Sequence, residues 1–142
     1  MFLGRHDHNL DEKGRLAIPS RFRDELGDGM VLTRGIDRCI TVYPLNAWDA
    51  LANRVLALPI ADGDARRFRR FVFAEAVAVR LDAQGRILIP AALRSYAAIS
   101  RETIVVGVHD SIEIWCPVYW AEVDEAFDAS GEQIASRLAE MM

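Results

Sequence analysis

The chain writes one phrase twice. Residues 10–19 read LDEKGRLAIP and residues 81–90 read LDAQGRILIP, identical at six of the ten positions. The match extends upstream at an offset of 71, with RHDHNLD (5–11) over AVAVRLD (76–82), and downstream Arg23 falls on Arg94. Farther along, MVLTRGIDRCITVYPLNAW (30–48) corresponds to IVVGVHDSIEIWCPVYW (104–120), which pairs Trp48 with Trp120 after small insertions. Such a duplication constrains the fold more than any other feature. Each copy is about 45 residues, too short to bury a sound core alone. The expectation is two interlocked modules, over 5–47 and 76–119, with a helical connection at 48–75 and a C-terminal helix and tail at 120–142.

Within each copy the pattern predicts strand, turn, strand, short helix, hairpin and helix. Val77, Val79 and Leu81 alternate with Ala78 and Arg80, the period of a half-buried strand. In Asp-x-x-Gly-Arg the aspartate can accept backbone N–H groups across a turn, and glycine tolerates positive φ. Asp11, Gly14, Asp82 and Gly85 are therefore read as the turn-shaping residues. Pro19 and Pro90 end the return strands and open short helices, expected over about 19–26 and 90–98, with Gly27 as a C-terminal stop. MVLTRG and CITVYP flank one hairpin, TIVVGV and IEIWCP the other. Pro44 and Pro117 then open helices carrying Trp48 and Trp120, the first with an apolar stripe at 48, 51, 55 and 58. DGDARRFRRFVFAEA begins a further helix, with an aspartate N-cap and with Phe68 and Phe71 on its expected buried side. Residues 129–142 are weakly amphipathic and expected to fray.

Composition narrows the function classes. The 142 residues are 51% apolar and 27% charged, the balance of an ordinary globular domain rather than a disordered chain. No run approaches the roughly 18–20 apolar residues of a membrane span, and MFLGRHDHNL turns polar too early for a signal-peptide core. A cytoplasmic protein is the expectation. Cys39 and Cys116 have no metal-type spacing and occupy unmatched places in the copies, so both are read as idle thiols. No serine elbow, phosphate-binding loop or acid–base pair with a nucleophile is visible, and the reading is of a non-enzyme without a cofactor. The net charge of −4 argues mildly against a nucleic-acid partner. Residues 1–38 are balanced, however, 39–80 carry +2, and the acid is concentrated over 81–142 at −6. An acidic chain can still hold DNA when its few cations share one surface.

The plainest account of Asp-x-x-Gly-Arg is a well-made hairpin whose Asp and Arg pair. A second account uses what the turn presents: an always-charged planar fork on a rigid element, suited to phosphate or to O6 and N7 of guanine in a major groove. Lys13 adds a cation beside Arg15, where the second copy has neutral Gln84, so the first turn is expected to bind anions more strongly.

The start MFLGRHDHNLDEKGRLAIPSRFR, the doubled Asp-x-x-x-Arg phrase and the tryptophan-bearing helices together resemble the MraZ family, over Phe2 to about Phe127. The resemblance implies an α+β pseudo-dimer of two AbrB-like swapped-hairpin modules in one chain. It further implies a nucleoid-associated transcriptional regulator that binds short guanine-rich direct repeats in double-stranded promoter DNA, near a division and cell-wall gene cluster including its own gene. A closed homo-oligomeric ring, often of eight subunits, is implied as well, and would sum weak contacts through effective concentration. The family's basic motif positions fall on Arg15 and Arg86, oriented by Asp11 and Asp82, with Lys13 matching its first turn and Arg5 a further DNA-binding candidate. Arg66, Arg67, Arg69 and Arg70 are read instead as a solvated helix face or subunit contact. His6 and His8 share a strand face, and with His109 they raise the question of zinc. Imidazoles in a wet subunit interface, weakening assembly near pH 6, are the favoured reading. The rival function is a protein-binding module of antitoxin type, which the acidic second half would suit.

Overall fold

The computed structural model describes all 142 residues. Its elements run β1 (Phe2–Asn9), β2 (Arg15–Ala17), two single 3₁₀ turns (Ser20–Phe22 and Asp24–Leu26), β3 (Met30–Arg34), β4 (Ile40–Pro44), α1 (Leu45–Leu56) and α2 (Gly63–Phe73). The second copy continues with β5 (Val77–Val79), β6 (Arg86–Leu88), α3 (Ala91–Tyr96), β7 (Glu102–His109), β8 (Ile112–Trp115) and α4 (Pro117–Ala139).

Every sheet contact that closes the molecule crosses between the copies. The antiparallel six-stranded sheet has the order β1-β7-β8-β4-β3-β5, and β2 pairs with β6 in a separate two-stranded ribbon. Since β1 corresponds to β5, β3 to β7 and β4 to β8, the order reads the same from either end once the copies are exchanged. The first strand of each copy lies on the other copy's hairpin, and the hairpins meet at Ile40↔Ile114 and Val42↔Ile112. The two flanks are unequal: β1 pairs over eight residues along β7, whereas β5 makes only three pairs with β3.

One cluster of 18 buried residues draws on both copies, from Phe2, Leu16, Ile18 and Phe22 to Ile87, Ile89, Leu93 and Val105. Val77, Val79 and Leu81 pack against it, as their alternation predicts. Neither half contains a core of its own, which answers the size argument. A smaller cluster holds Cys39, Ile104 and Trp115, with Trp120 edge-on to Trp115 at 5.8 Å.

Several local expectations are corrected. The helix expected over 19–26 is two 3₁₀ turns, because SRFRDEL carries serine and aspartate and must bury Phe22 and Leu26, while its counterpart AALRSY has two leading alanines and forms α3. Gly27 stays right-handed at φ −58°; the left-handed glycine that releases the chain into β3 is Gly29, at φ +115°. Phe68 and Phe71 are only half-buried; Ala65 and Val72 are the buried residues of α2. The Asp62 cap is present, accepting from the backbone N–H groups of Asp64 and Ala65. Residues 129–139 do not fray but continue α4, a 23-residue helix with no buried residue. No helix is long and apolar enough to cross a membrane.

Candidate functional site

The two copies of the phrase fold into the same turn. Asp11 Oδ1 accepts from the backbone N–H groups of Lys13 and Arg15, both at 2.9 Å, and its Oδ2 accepts from Arg15 Nε at 2.7 Å. Asp82 repeats this with Gln84 N, Arg86 N and Arg86 Nε, each at 2.9 Å. Each aspartate thus stitches the turn with one oxygen and steers the arginine with the other. The backbone N–H of Arg15, foremost, lowers the carboxyl pKa of Asp11, as that of Arg86 does for Asp82, so both aspartates stay charged. Carboxylates held in this way keep the arginines oriented at neutral pH.

The glycines satisfy two demands at once. Gly14 has φ +80° and Gly85 φ +75°. A Cβ at Gly14 would lie 3.2 Å from Arg94 Cζ, and one at Gly85 would overlap the Arg23 guanidinium. Each arginine therefore packs beneath the turn of the other copy. They differ in what they hold: Arg23 Nε donates to the Ile18 carbonyl at 2.9 Å, while Arg94 Nε is buried without a partner. Sequence reasoning matched Arg23 with Arg94 by the offset of 71 but gave them no role; their recurrence was the available signal.

The ribbon joins the turns. Arg15 faces Leu88, Leu16 faces Ile87 and Ala17 faces Arg86, and the ladder continues outward as Ile18 N donates to Gly85 O and Ile89 N to Gly14 O. Leu16 and Ile87 are buried, so by the two-residue period Arg15, Ala17, Arg86 and Leu88 lie on the outward face. Arg15, Arg86, Asp11 and Asp82 consequently belong to one surface, with Lys13 and Gln84 at the turn tips. No hydrogen bond within the chain uses the Nη groups of Arg15. Arg86 is more neutralised, lying between Asp82 at 2.9 Å and Asp11 Oδ2 at 3.7 Å.

The remaining candidates lie elsewhere. Arg5 is on β1 opposite Val106, 3.7 Å from Asp7, and has no ion pair with either turn. Arg66 donates to the Ile60 carbonyl and Arg67 pairs with Asp64, both on α2. His6 packs edge-on against Phe22 within its own chain, its Nε2 enclosed. Burial and the neighbouring His6 and Arg23 lower the His8 pKa, with Asp7 opposing. His109 sits opposite Phe2, at the far end of β7 from the partners of His6 and His8, so the three imidazoles do not converge.

Two matching aspartate-steered arginine turns, at the two ends of a ribbon shared by duplicated halves, define a cation-presenting α+β protein. Comparison with known proteins agrees with the duplication. The family model described as "MraZ protein, putative antitoxin-like" matches twice, over residues 1–71 and 72–141. Among curated relatives, the Transcriptional regulator MraZ of Thermomicrobium roseum is 57% identical over 142 residues, covering all of both chains. Those of a Roseiflexus species and of Alkaliphilus metalliredigens are each 45% identical over 141 residues, 99% of both chains. The chain belongs to the MraZ family.

Proposed function

We propose that this protein is a DNA-binding transcriptional regulator that inserts the β2–β6 ribbon into the major groove. A two-stranded ribbon has the dimensions that groove admits, and arginine forks match O6 and N7 of guanine. The observation that carries the reading is the pair of arginines held by Asp11 and Asp82 on one outward face, with the Arg15 Nη edge unused. Lys13 takes a phosphate, and Arg15 leads because Arg86 sits between two carboxylates. Arg5 supplies at most a peripheral phosphate contact. The crossed strand pairing supports an AbrB-like swapped-hairpin arrangement of the modules over 5–47 and 76–119. Guanine-rich direct repeats, a closed ring and control of a division and cell-wall gene cluster belong to the same reading as what the family resemblance implies, while the relatives' names support the regulator role alone. Such a protein would work in the cytoplasm on the nucleoid.

The test is binding to a fragment from upstream of the protein's own gene, across a salt series, by wild type, Lys13→Ala/Arg15→Ala and Arg86→Ala. The double variant is expected to lose most affinity and to show a salt slope shallower by about one to two, with Arg86→Ala losing less. Equal binding by all three, or no specific binding by wild type, would refute the reading. A protein-binding module of antitoxin type is the second reading, favoured by the family description and by acidic α4, whose residues are all at least partly exposed. Capture of a protein partner that survives Lys13→Ala/Arg15→Ala, together with the absence of DNA binding, would support it.

A further inference from the structure

The outward face of the ribbon contains one residue that neither phosphate nor guanine explains. Leu88 is 55% exposed, although its chain neighbours Ile87 and Ile89 are each only 1% exposed. It is the cross-strand partner of Arg15. Side chains directly opposite in an antiparallel pair have Cβ atoms about 4.5–5.5 Å apart. The copies differ here, since the position corresponding to Leu88 is Ala17, which lies opposite Arg86. The pseudo-twofold therefore places a large apolar side chain beside the less neutralised arginine and a methyl group beside the other.

Resting on the DNA-binding reading, we infer that Leu88 is a specificity-determining residue that packs on the 5-methyl group of a thymine in the base pair next to the guanine bound by Arg15. The separation across the ribbon compares with a base-pair rise of about 3.4 Å, so an arginine and its cross-strand neighbour reach adjacent steps. In the major groove the thymine methyl is the apolar feature among donors and acceptors, and leucine has no polar atom with which to use the others. The surroundings choose DNA as occupant: Arg15 lies opposite Leu88, Arg86 precedes it by two residues on the same face, and the Arg15 Nη groups, unused within the chain, suit a polyanion. The arrangement predicts that the first turn recognises a guanine flanked by thymine, and that the second turn, with Ala17, discriminates less against loss of that methyl.

Uracil differs from thymine only by the methyl group, which makes the inference directly testable. Full-length wild type, Leu88→Ala and Leu88→Met would be titrated with duplexes of the footprinted upstream segment, each thymine replaced singly by uracil. The expectation is a thymine in each bound repeat whose replacement weakens wild type about fourfold, the effect of removing one buried methyl. Leu88→Ala should bind the thymine duplex several-fold more weakly and be indifferent to uracil at that position, while Leu88→Met keeps the discrimination. Uracil duplexes bound as tightly as thymine duplexes by wild type, or undiminished uracil sensitivity in Leu88→Ala, would overturn the inference. So would a fall in sedimentation mass of Leu88→Ala without DNA, which would make Leu88 a subunit contact. Failure of wild type to prefer the upstream fragment over random duplex would instead remove the DNA-binding reading itself; specific binding without uracil sensitivity removes only the role of Leu88.

Discussion

Replacing Gly85 with alanine would put a methyl group where the Arg23 guanidinium lies. Two terms add. An L-residue held at φ +75° costs about 1–2 kcal/mol relative to glycine. Arg23 must also move, and the hydrogen bond from its Nε to the Ile18 carbonyl is lost, a further ~1–2 kcal/mol. The total is about 3 kcal/mol. Gly14→Ala meets the same backbone term at φ +80°, but Arg94 Cζ would lie 3.2 Å away and Arg94 Nε has no hydrogen bond to give up. That variant should lose only about 1–2 kcal/mol. Urea unfolding at fixed protein concentration would show this as a midpoint lowered by roughly 1.5 M for Gly85→Ala, taking a slope of about 2 kcal/mol/M, and by about half that for Gly14→Ala. A double-mutant cycle isolates the contact: in an Arg23→Ala background, Gly85→Ala should retain only the backbone term, leaving a coupling of about 1–2 kcal/mol. Equal losses for the two glycines, or a coupling near zero, would show that the crossed arginines do not hold the turns.

Acid should weaken the fold in two stages. Folding lowers the His8 pKa, so its contribution is complete above about pH 6.5 and falls as the pH drops through the lowered folded value. Folding also lowers the pKa of Asp11 and Asp82, so their contribution is complete above about pH 4 and is lost as the pH falls through their folded values. Thermal unfolding followed from pH 8 to 3 should show one decline beginning below 6.5 and a further one below 4. His8→Gln should flatten the first and Asp11→Asn the second; an unchanged profile in both variants would refute the assignment. Burial pushes the Cys39 thiol up to about 12, whereas Cys116 is only half-buried. A thiol reagent at pH 8 should therefore modify Cys116 in the native protein and reach Cys39 only on unfolding, as peptide mapping would show.

What could be read from the sequence was what short-range chemistry dictates. Asp-x-x-Gly-Arg specifies a turn because its hydrogen bonds join residues at most four apart, so Asp11, Gly14, Arg15 and their counterparts were legible without a fold. The strand alternation at Val77 and Val79 and the Asp62 cap are local in the same sense. The duplication itself required a shared core, because neither copy could bury enough apolar surface alone. Only tertiary structure decided which copy completes which sheet, through β1 on β7 and β5 on β3, and so brought two turns 71 residues apart onto one face. It alone set Arg23 and Arg94 beneath the opposite turns, turned His6 onto Phe22 and left Leu88 outward beside Arg15. Those placements depend on contacts across the pseudo-twofold: strand alternation sets Leu88 on the face of Arg86, but only the pairing of the copies puts Arg15 opposite it. Local hydrogen bonding determined the shape of each turn; packing between the copies determined what the pair of turns can grip.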